Sequence, residues 1–151
     1  MKLREEDRQI QEFLKSGKIV SGGFLGTDNR HFFEIIEEDK AGISSLGFEC
    51  ESIAKRMREI SEKAQEGLGN WVAISDKIEA KVDEAKGDMI CPWPHKTKLF
   101  HKRVTTVRRK ASDEEIKWSD LSIHFVAEHC FFQGRGSLFR LEPARLVKII
   151  F

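Results

Sequence analysis

The hydrophobic pattern changes its period near Asn70, and this change constrains the fold more than any other feature of the chain. Before Asn70, apolar residues recur every three to four positions, most clearly in the series Ile53, Met57, Ile60 and Ala64. That spacing places them on one face of a helix, which we expect over residues 50–66. After Asn70 the period approaches two, as it does in strands. The order of the two patterns predicts an α+β fold rather than alternating strands and helices.

The other elements are predicted from the same periodicities and from capping residues. Helices are expected over 3–15, over 30–39 with Thr27 or Asp28 as the cap, and after Pro143, which suits a first helical turn. A connector is expected over 42–47. Strands are expected over 18–25, 71–75, 78–82, 89–91, 99–109, 116–118 and 138–141, with a turn at Gly87-Asp88. Those between residues 70 and 118 would form an antiparallel sheet packed against the N-terminal helices and a central helix.

The central helix is predicted over 120–130, with Ser119 or Asp120 as its N-cap. Its apolar residues fall on two sides, with Leu121, Phe125 and Phe132 on one and Ile123, Val126, Ala127 and Cys130 on the other. A helix that is apolar on two sides is normally packed on both, so this helix should lie inside the core.

Length and composition limit the class of protein. A chain of 151 residues predicts one domain over 1–151, and a net charge of +1 gives no overall field for nucleic acid or an anionic membrane. No apolar run approaches the roughly 20 residues of a membrane span. The first residues lack the apolar core of a signal peptide, and three cysteines lie far apart. These features favour free thiols in a reducing cytoplasm.

His124 is the first candidate for chemistry. Asp120, His124 and Glu128 are spaced four residues apart and would line up along the central helix. Nearby carboxylates favour the imidazolium form while burial opposes it, so His124 is a candidate acid/base group oriented by the two carboxylates. The alternative is a salt-bridged structural histidine. The pair His124 and His129 does not match the zinc-protease motif, because that motif places two histidines four residues apart.

Cys91 and His95 form the second candidate, because both side chains are ligand types for zinc or another transition metal. They flank a Pro-Trp-Pro segment and would share an ion only if that segment curls. His129, His124 or Cys130 would then complete the ligand set. Cys91 is also a candidate nucleophile, with His124 as its base. The alternative is a stiff loop that packs Trp93 against the core.

A Gly-Arg-Gly-Ser turn follows the central helix and suits an anion, because exposed N–H groups and a guanidinium converge there. Together with the preceding loop, it offers Trp93, Arg135, Ser137 and Arg140 as ligand-binding residues. The alternative is an ordinary turn at the end of a helix.

Two interaction surfaces are also predicted. The basic strand 96–110 could contact nucleic acid, although one basic ribbon on a nearly neutral protein offers few phosphate contacts. The final helix, with Ile149, Ile150 and Phe151 expected at its surface, could form a homodimer.

Together, these residues predict a cytoplasmic protein that binds a small anionic ligand or a metal between the 91–95 loop and the 120–140 segment. Whether it is also an enzyme is left open. The alternative is a nucleic-acid or protein interaction module that uses the basic strand.

Overall fold

A computed structural model describes residues 4–15, 23–95 and 99–151 of the chain. The fold is α+β, as the period change predicted. Within the described residues the elements are α1 (Glu5–Lys15), α2 (Phe32–Ser45), α3 (Cys50–Gln65), β1 (Val72–Ala73), β2 (Ile78–Ile90), β3 (Leu99–Arg109), β4 (Glu115–Ser119), α4 (Asp120–His129) and α5 (Pro143–Ile150). Most of the strand predicted over 18–25 lies outside the described residues.

The four strands form an antiparallel sheet in the order β1-β2-β3-β4. β2 is longer than predicted and pairs with β3 from Ile78↔Arg109 to Ile90↔Leu99. The predicted turn at Gly87-Asp88 is wrong, because the chain forms a bulge between Ala85 and Asp88 and continues in the same direction. Gly87 has a φ of 98°, a conformation that glycine adopts easily and that bulges often need.

α4 lies between two hydrophobic clusters, as its pattern predicted. Ile123 and Val126 pack with α3, α5 and the sheet, whereas Leu121 and Phe125 pack with α1, α2 and the segment after β2. Phe132 differs from the prediction, because it joins the cluster of Ile123. Since α4 is enclosed on both sides, its polar residues lie at fixed positions relative to both halves of the core.

The ends of α4 are held by local hydrogen bonds. Ser119 is the N-cap, and its hydroxyl accepts from the Ser122 N–H while the Ser122 hydroxyl accepts from the Ser119 N–H. This reciprocal pair satisfies two N–H groups that a helix start leaves without a partner. At the other end, Cys130 adopts a left-handed conformation with φ of 50°, which ends the helix directly after His129.

Cys50 and Cys130 form a disulfide, so the prediction that all three cysteines are free thiols is wrong. The two residues are 80 positions apart in sequence, but the packing of α3 against α4 brings their Cα atoms to 5.5 Å. The separation of Cys50 and Cys130 along the chain gave no indication of this disulfide, because only the packing of the helices brings the two cysteines together.

α2 differs from its prediction at both ends. It begins after His31, whose ring nitrogen accepts from the Phe33 N–H, rather than after Thr27 or Asp28. It also continues through Ser45, into the predicted connector. The Asp28 carboxylate instead accepts from the Arg30 side chain and from the Arg135 N–H.

The predicted strand over 138–141 is absent, because Leu138 and Phe139 form a turn and the next two residues are irregular. The preceding Gly-Arg-Gly turn packs against the segment 24–27, where a Cβ on Gly134 would collide with the Leu25 backbone. The glycines therefore permit two loops to approach each other closely.

The final helix is more buried than predicted. Ile149 and Ile150 are 4% and 1% exposed, and only Phe151 is exposed, where its ring contacts Phe48. The apolar surface on which a homodimer was predicted is therefore mostly inside the core. No helix among the described residues is long and apolar enough to cross a membrane.

Candidate metal centre

The segment after β2 curls back on itself and brings Cys91 close to His95. Cys91 is 1% exposed and belongs to the cluster that contains Phe125 and Phe131. The Nε2 atom of His95 lies 3.1 Å from the Cys91 Sγ atom. The intervening prolines cannot continue the strand ladder, and the chain leaves the sheet where they begin. The sequence required this segment to curl if Cys91 and His95 were to share an ion, and the segment does curl.

α4 supplies two more imidazoles to the same point. The His124 Nε2 atom lies 3.0 Å from the Nε2 atom of His95, and the His129 Nε2 atom lies 3.5 Å from the Cys91 Sγ atom. All four potential ligand atoms lie within 4.8 Å of one another. His124 and His129 are five residues apart, yet their ring centroids lie only 5.2 Å from each other. His129 is the last residue of the helix.

Aromatic contacts fix the orientation of these rings. Trp93 stacks on His129 with centroids 4.0 Å apart and planes inclined by 12°. Phe100, on β3, contacts the His124 ring at 4.5 Å. Each of these two rings thus packs against an aromatic side chain, which limits its rotation before any ion binds.

Three of the distances among the four ligand atoms are close to those of a tetrahedral site. With Zn–N bonds near 2.05 Å and a Zn–S bond near 2.3 Å, the edges of the tetrahedron measure about 3.3–3.6 Å. Three of the pairs, at 3.0, 3.1 and 3.5 Å, lie at or slightly below that range, and all six pairs lie within 4.8 Å. Shifts of the side chains, outward for the short pairs and inward for any wider ones, would accommodate an ion.

Burial and neighbouring rings favour the neutral forms of His124 and His129. Burial, followed by the effects of His124 and His95, lowers the pKa of His129 from 6.5 to about 3. Burial and then His95 also lower the pKa of His124, and the opposing effect of Glu128 is smaller. The expected proton on His124 is thus disfavoured. A neutral imidazole has the free lone pair that a metal requires.

A cleft of about 480 Å³ opens onto the cluster from solvent. It is lined by the three histidine rings and by Glu6, Trp93, Pro94 and Glu128. No lysine or arginine among the described residues lines it, whereas two carboxylates do. The opening therefore attracts cations more than anions.

The predicted catalytic carboxylates occupy different settings. Asp120 accepts from the Arg103 guanidinium at 2.7 Å, so its charge is directed towards β3. Glu128 is exposed at the mouth of the cleft. A second cleft of about 280 Å³ contains Arg58, Arg103 and Asp120 and also reaches His124 and Glu128. Catalytic roles for His124, Asp120 and Glu128 stay predictions.

Of the four predicted ligand-binding residues, only Trp93 lies at the cluster. Arg135 is exposed, and the Ser137 hydroxyl donates to Gln133 at 3.1 Å. Arg140 donates to Asp39 at 3.0 Å and to Glu142 at 3.1 Å. The Arg140 guanidinium, proposed for an anionic ligand, is thus already paired with carboxylates of the protein.

The arginines of the basic strand are also engaged within the described part of the chain. Arg103 pairs with Asp120 and Arg109 with Glu114. Arg108 pairs with Glu79 and lies over the Trp71 ring at 4.0 Å. Residues 96–98, which carry two of the lysines, lie outside the described residues. The nucleic-acid surface stays a prediction that these pairings do not favour.

Sequence reasoning named every member of the cluster, with Cys91, His95 and His129 as the metal ligands and His124 either as an acid/base group or as a further ligand. It missed Glu6 and Phe100, for which the sequence contains no signal, since α1 and β3 meet the cluster only through the tertiary fold. Comparisons of the chain with protein-family models, with curated proteins and with solved structures found no match.

Proposed function

We propose that the protein binds one transition-metal ion, with zinc the best fit, through Cys91, His95, His124 and His129. The observation that carries the proposal is the convergence of one thiol sulfur and three imidazole nitrogens within 4.8 Å. At 3.0 Å, the Nε2 atoms of His124 and His95 can share a proton in a hydrogen bond or, with both lone pairs free, bind one cation together.

The ligand types select the metal. A thiolate and three imidazoles suit zinc, copper, nickel or cobalt, whereas magnesium and calcium require oxygen ligands. Near-tetrahedral dimensions favour zinc or cobalt over copper(II) and nickel(II), which favour square-planar or tetragonal arrangements.

The number of protein ligands indicates whether the metal would have a structural or a catalytic role. Four protein ligands complete a tetrahedron, and closed tetrahedral sites hold zinc for structural purposes, while catalytic sites leave one position for water. The proposed centre would therefore fasten the segment after β2 to α4. The burial of Cys91 argues against an alternative role as a nucleophile, because the residue is 1% exposed and substrates would have little access to it.

Metal content and cobalt substitution test the proposal. We expect about one equivalent of zinc per chain after purification, measured by elemental analysis. Cobalt should give the visible bands of a tetrahedral ion and a thiolate-to-cobalt absorption in the near ultraviolet. Cys91→Ser should remove the second signal. His124→Ala and His129→Ala should each weaken binding by at least about 100-fold, since even groups that only orient ligands contribute 10–100-fold.

His101→Ala is the matched control. This histidine is 76% exposed and faces Asp88 on the opposite strand rather than the cluster. Its removal should leave zinc and cobalt binding unchanged. Wild-type protein that takes up neither metal, or a His101→Ala variant as defective as His129→Ala, would contradict the proposed centre.

A further inference from the structure

The disulfide lies beside the proposed metal centre in the chain. Cys130 directly follows the ligand His129, and it is joined to Cys50, the first residue of α3. The bond therefore connects the end of the helix that carries two of the four ligands to the start of a neighbouring helix.

The backbone at Cys130 determines where His129 leaves α4. Cys130 has a left-handed conformation, and its N–H donates to the Val126 carbonyl at 3.2 Å. The next residue, Phe131, donates to the Phe125 carbonyl at 3.0 Å. A left-handed conformation is unfavourable for a residue with a side chain, so an attachment at this residue helps to keep the helix end in place.

The cysteines also differ in access. Cys50 and Cys130 are partly buried at the edge of their cluster, whereas Cys91 is 1% exposed. A reagent in solution should therefore reach the disulfide more readily than it reaches the thiol of the metal centre.

From these positions we propose that Cys50–Cys130 is a thiol–disulfide exchange site that sets the affinity of the metal centre. This inference rests on the proposed metal function. With the disulfide formed, the end of α4 is fixed and His129 is held at the ligand position. With the disulfide reduced, the helix end gains freedom, and metal binding must then restrict it, which weakens affinity.

The reaction partner is a dithiol, either a small molecule or a cysteine pair of another protein. One thiolate of the dithiol attacks a sulfur of the Cys50–Cys130 bond, and the other cysteine leaves and takes up a proton. The second thiolate then attacks the dithiol's own sulfur in the mixed disulfide and releases the remaining cysteine as a thiol. Two electrons pass to the protein, and the dithiol becomes a disulfide.

The test compares zinc affinity in the two redox states. Zinc dissociation constants are measured by competition with a chromophoric chelator, for oxidised protein and for protein reduced with a phosphine, which avoids the chelation that dithiols cause. Alkylation and peptide mass spectrometry confirm the state of Cys50 and Cys130. We expect reduction to weaken zinc binding by about 10- to 100-fold, the effect of losing a group that orients a metal ligand.

The double variant Cys50→Ser/Cys130→Ser provides the control. It should bind zinc as weakly as the reduced wild type and should not respond to the phosphine, which excludes an effect at Cys91. Circular dichroism shows whether it folds, and reduced wild-type protein supplies the same comparison if it does not. Equal affinities in both redox states would overturn the inference but leave the metal centre intact. Absence of zinc binding in both states would overturn the proposed function itself.

Discussion

His31 shows how one side chain can connect helix formation to pH. It is the N-cap of α2, and its Nδ1 atom accepts from the Phe33 N–H at 3.2 Å. Only the unprotonated nitrogen can accept a hydrogen bond, and the positive end of a helix disfavours a second positive charge. Burial lowers the pKa of His31 below its ordinary value of 6.5, while Asp7 and Glu34 oppose the change.

Protonation of His31 should therefore lower stability. Between the folded pKa and 6.5 the unfolded chain binds more protons than the folded one, so this contribution to stability is lost as the pH falls below 6.5. Replacing His31 with alanine should cost about 1 kcal/mol at about pH 7.5, the usual value of a cap, and less at about pH 5.

Urea unfolding of the wild type and of His31→Ala at both pH values measures this difference. The other histidines are common to both proteins, so their titration cancels in the comparison. His101→Ala, which changes an exposed ring, should show a small cost that does not vary with pH. An equal cost of His31→Ala at both pH values would argue against the cap as the titrating group.

Trp93 illustrates what could and could not be read from the residues of the site. The sequence indicated that a thiol, an imidazole and an aromatic ring share a proline-stiffened segment, since these types and spacings are visible in the chain. It could not show that Trp93 stacks on His129, because 36 residues and two strands separate them. Residue type predicted the ligands, and tertiary packing decided which of them converge.

At the scale of elements, prediction succeeded where one local signal determines the structure. The stripe of α3 and the two faces of α4 follow from apolar spacing that the core then enforces. The bounds of β3 were also predicted, although neither of its faces is purely apolar. β2 was predicted too short because residues 83–88 are exposed and show no alternation. Its pairing with β3 keeps those residues in the sheet, and a pairing partner is not visible in a local window.

The start of α4 offers a test that separates stability from metal binding. Ser119 is 1% exposed and Ser122 is 3% exposed, and their hydroxyls lie 3.0 Å apart. Ser119→Ala removes the capping hydroxyl, so the free energy of unfolding should fall by about 1 kcal/mol. Zinc affinity should change little, because the capped turn lies at the opposite end of α4 from His129 and its Cys130 attachment.

Chemical denaturation and the chelator competition described above measure the two quantities separately. Ser52→Ala, at an exposed position of α3, should alter neither. If Ser119→Ala weakened zinc binding as much as reduction of the disulfide does, the two ends of α4 would not act independently. The assignment of metal control to the Cys130 end would then be wrong.

At the scale of the whole molecule, several arginines are paired with carboxylates of the protein. Arg140, Arg103 and Arg108 each contact a carboxylate of the protein. The opening above Cys91 and the three histidines is different, because carboxylates line it without a cation among the described residues. At this opening, the contrast favours a cation over the small anion that the sequence also allowed. The cytoplasmic location stays a prediction, and the disulfide removes the argument from free thiols.

The metal should stabilise the entire fold rather than one loop. Cys91 belongs to the cluster formed with α1 and α2, while α4 contributes to both clusters. A bound ion would therefore connect Cys91, in one cluster, to a helix that packs in both. Zinc at a free concentration about 1,000 times its dissociation constant should raise the free energy of unfolding by about 4 kcal/mol. For a chain of this size that corresponds to an increase in Tm of about 8–16 °C.

Thermal unfolding with zinc, with magnesium and with a chelator tests this expectation. Magnesium should have no effect, because the cluster presents no carboxylate ligand of its own and magnesium requires oxygen ligands. The double variant His124→Ala/His129→Ala should fold without responding to zinc, since it retains only two of the four ligands. If zinc raised the Tm of this variant as much as that of the wild type, the ion would be acting elsewhere on the protein. The ligand set proposed for the centre would then have to be abandoned.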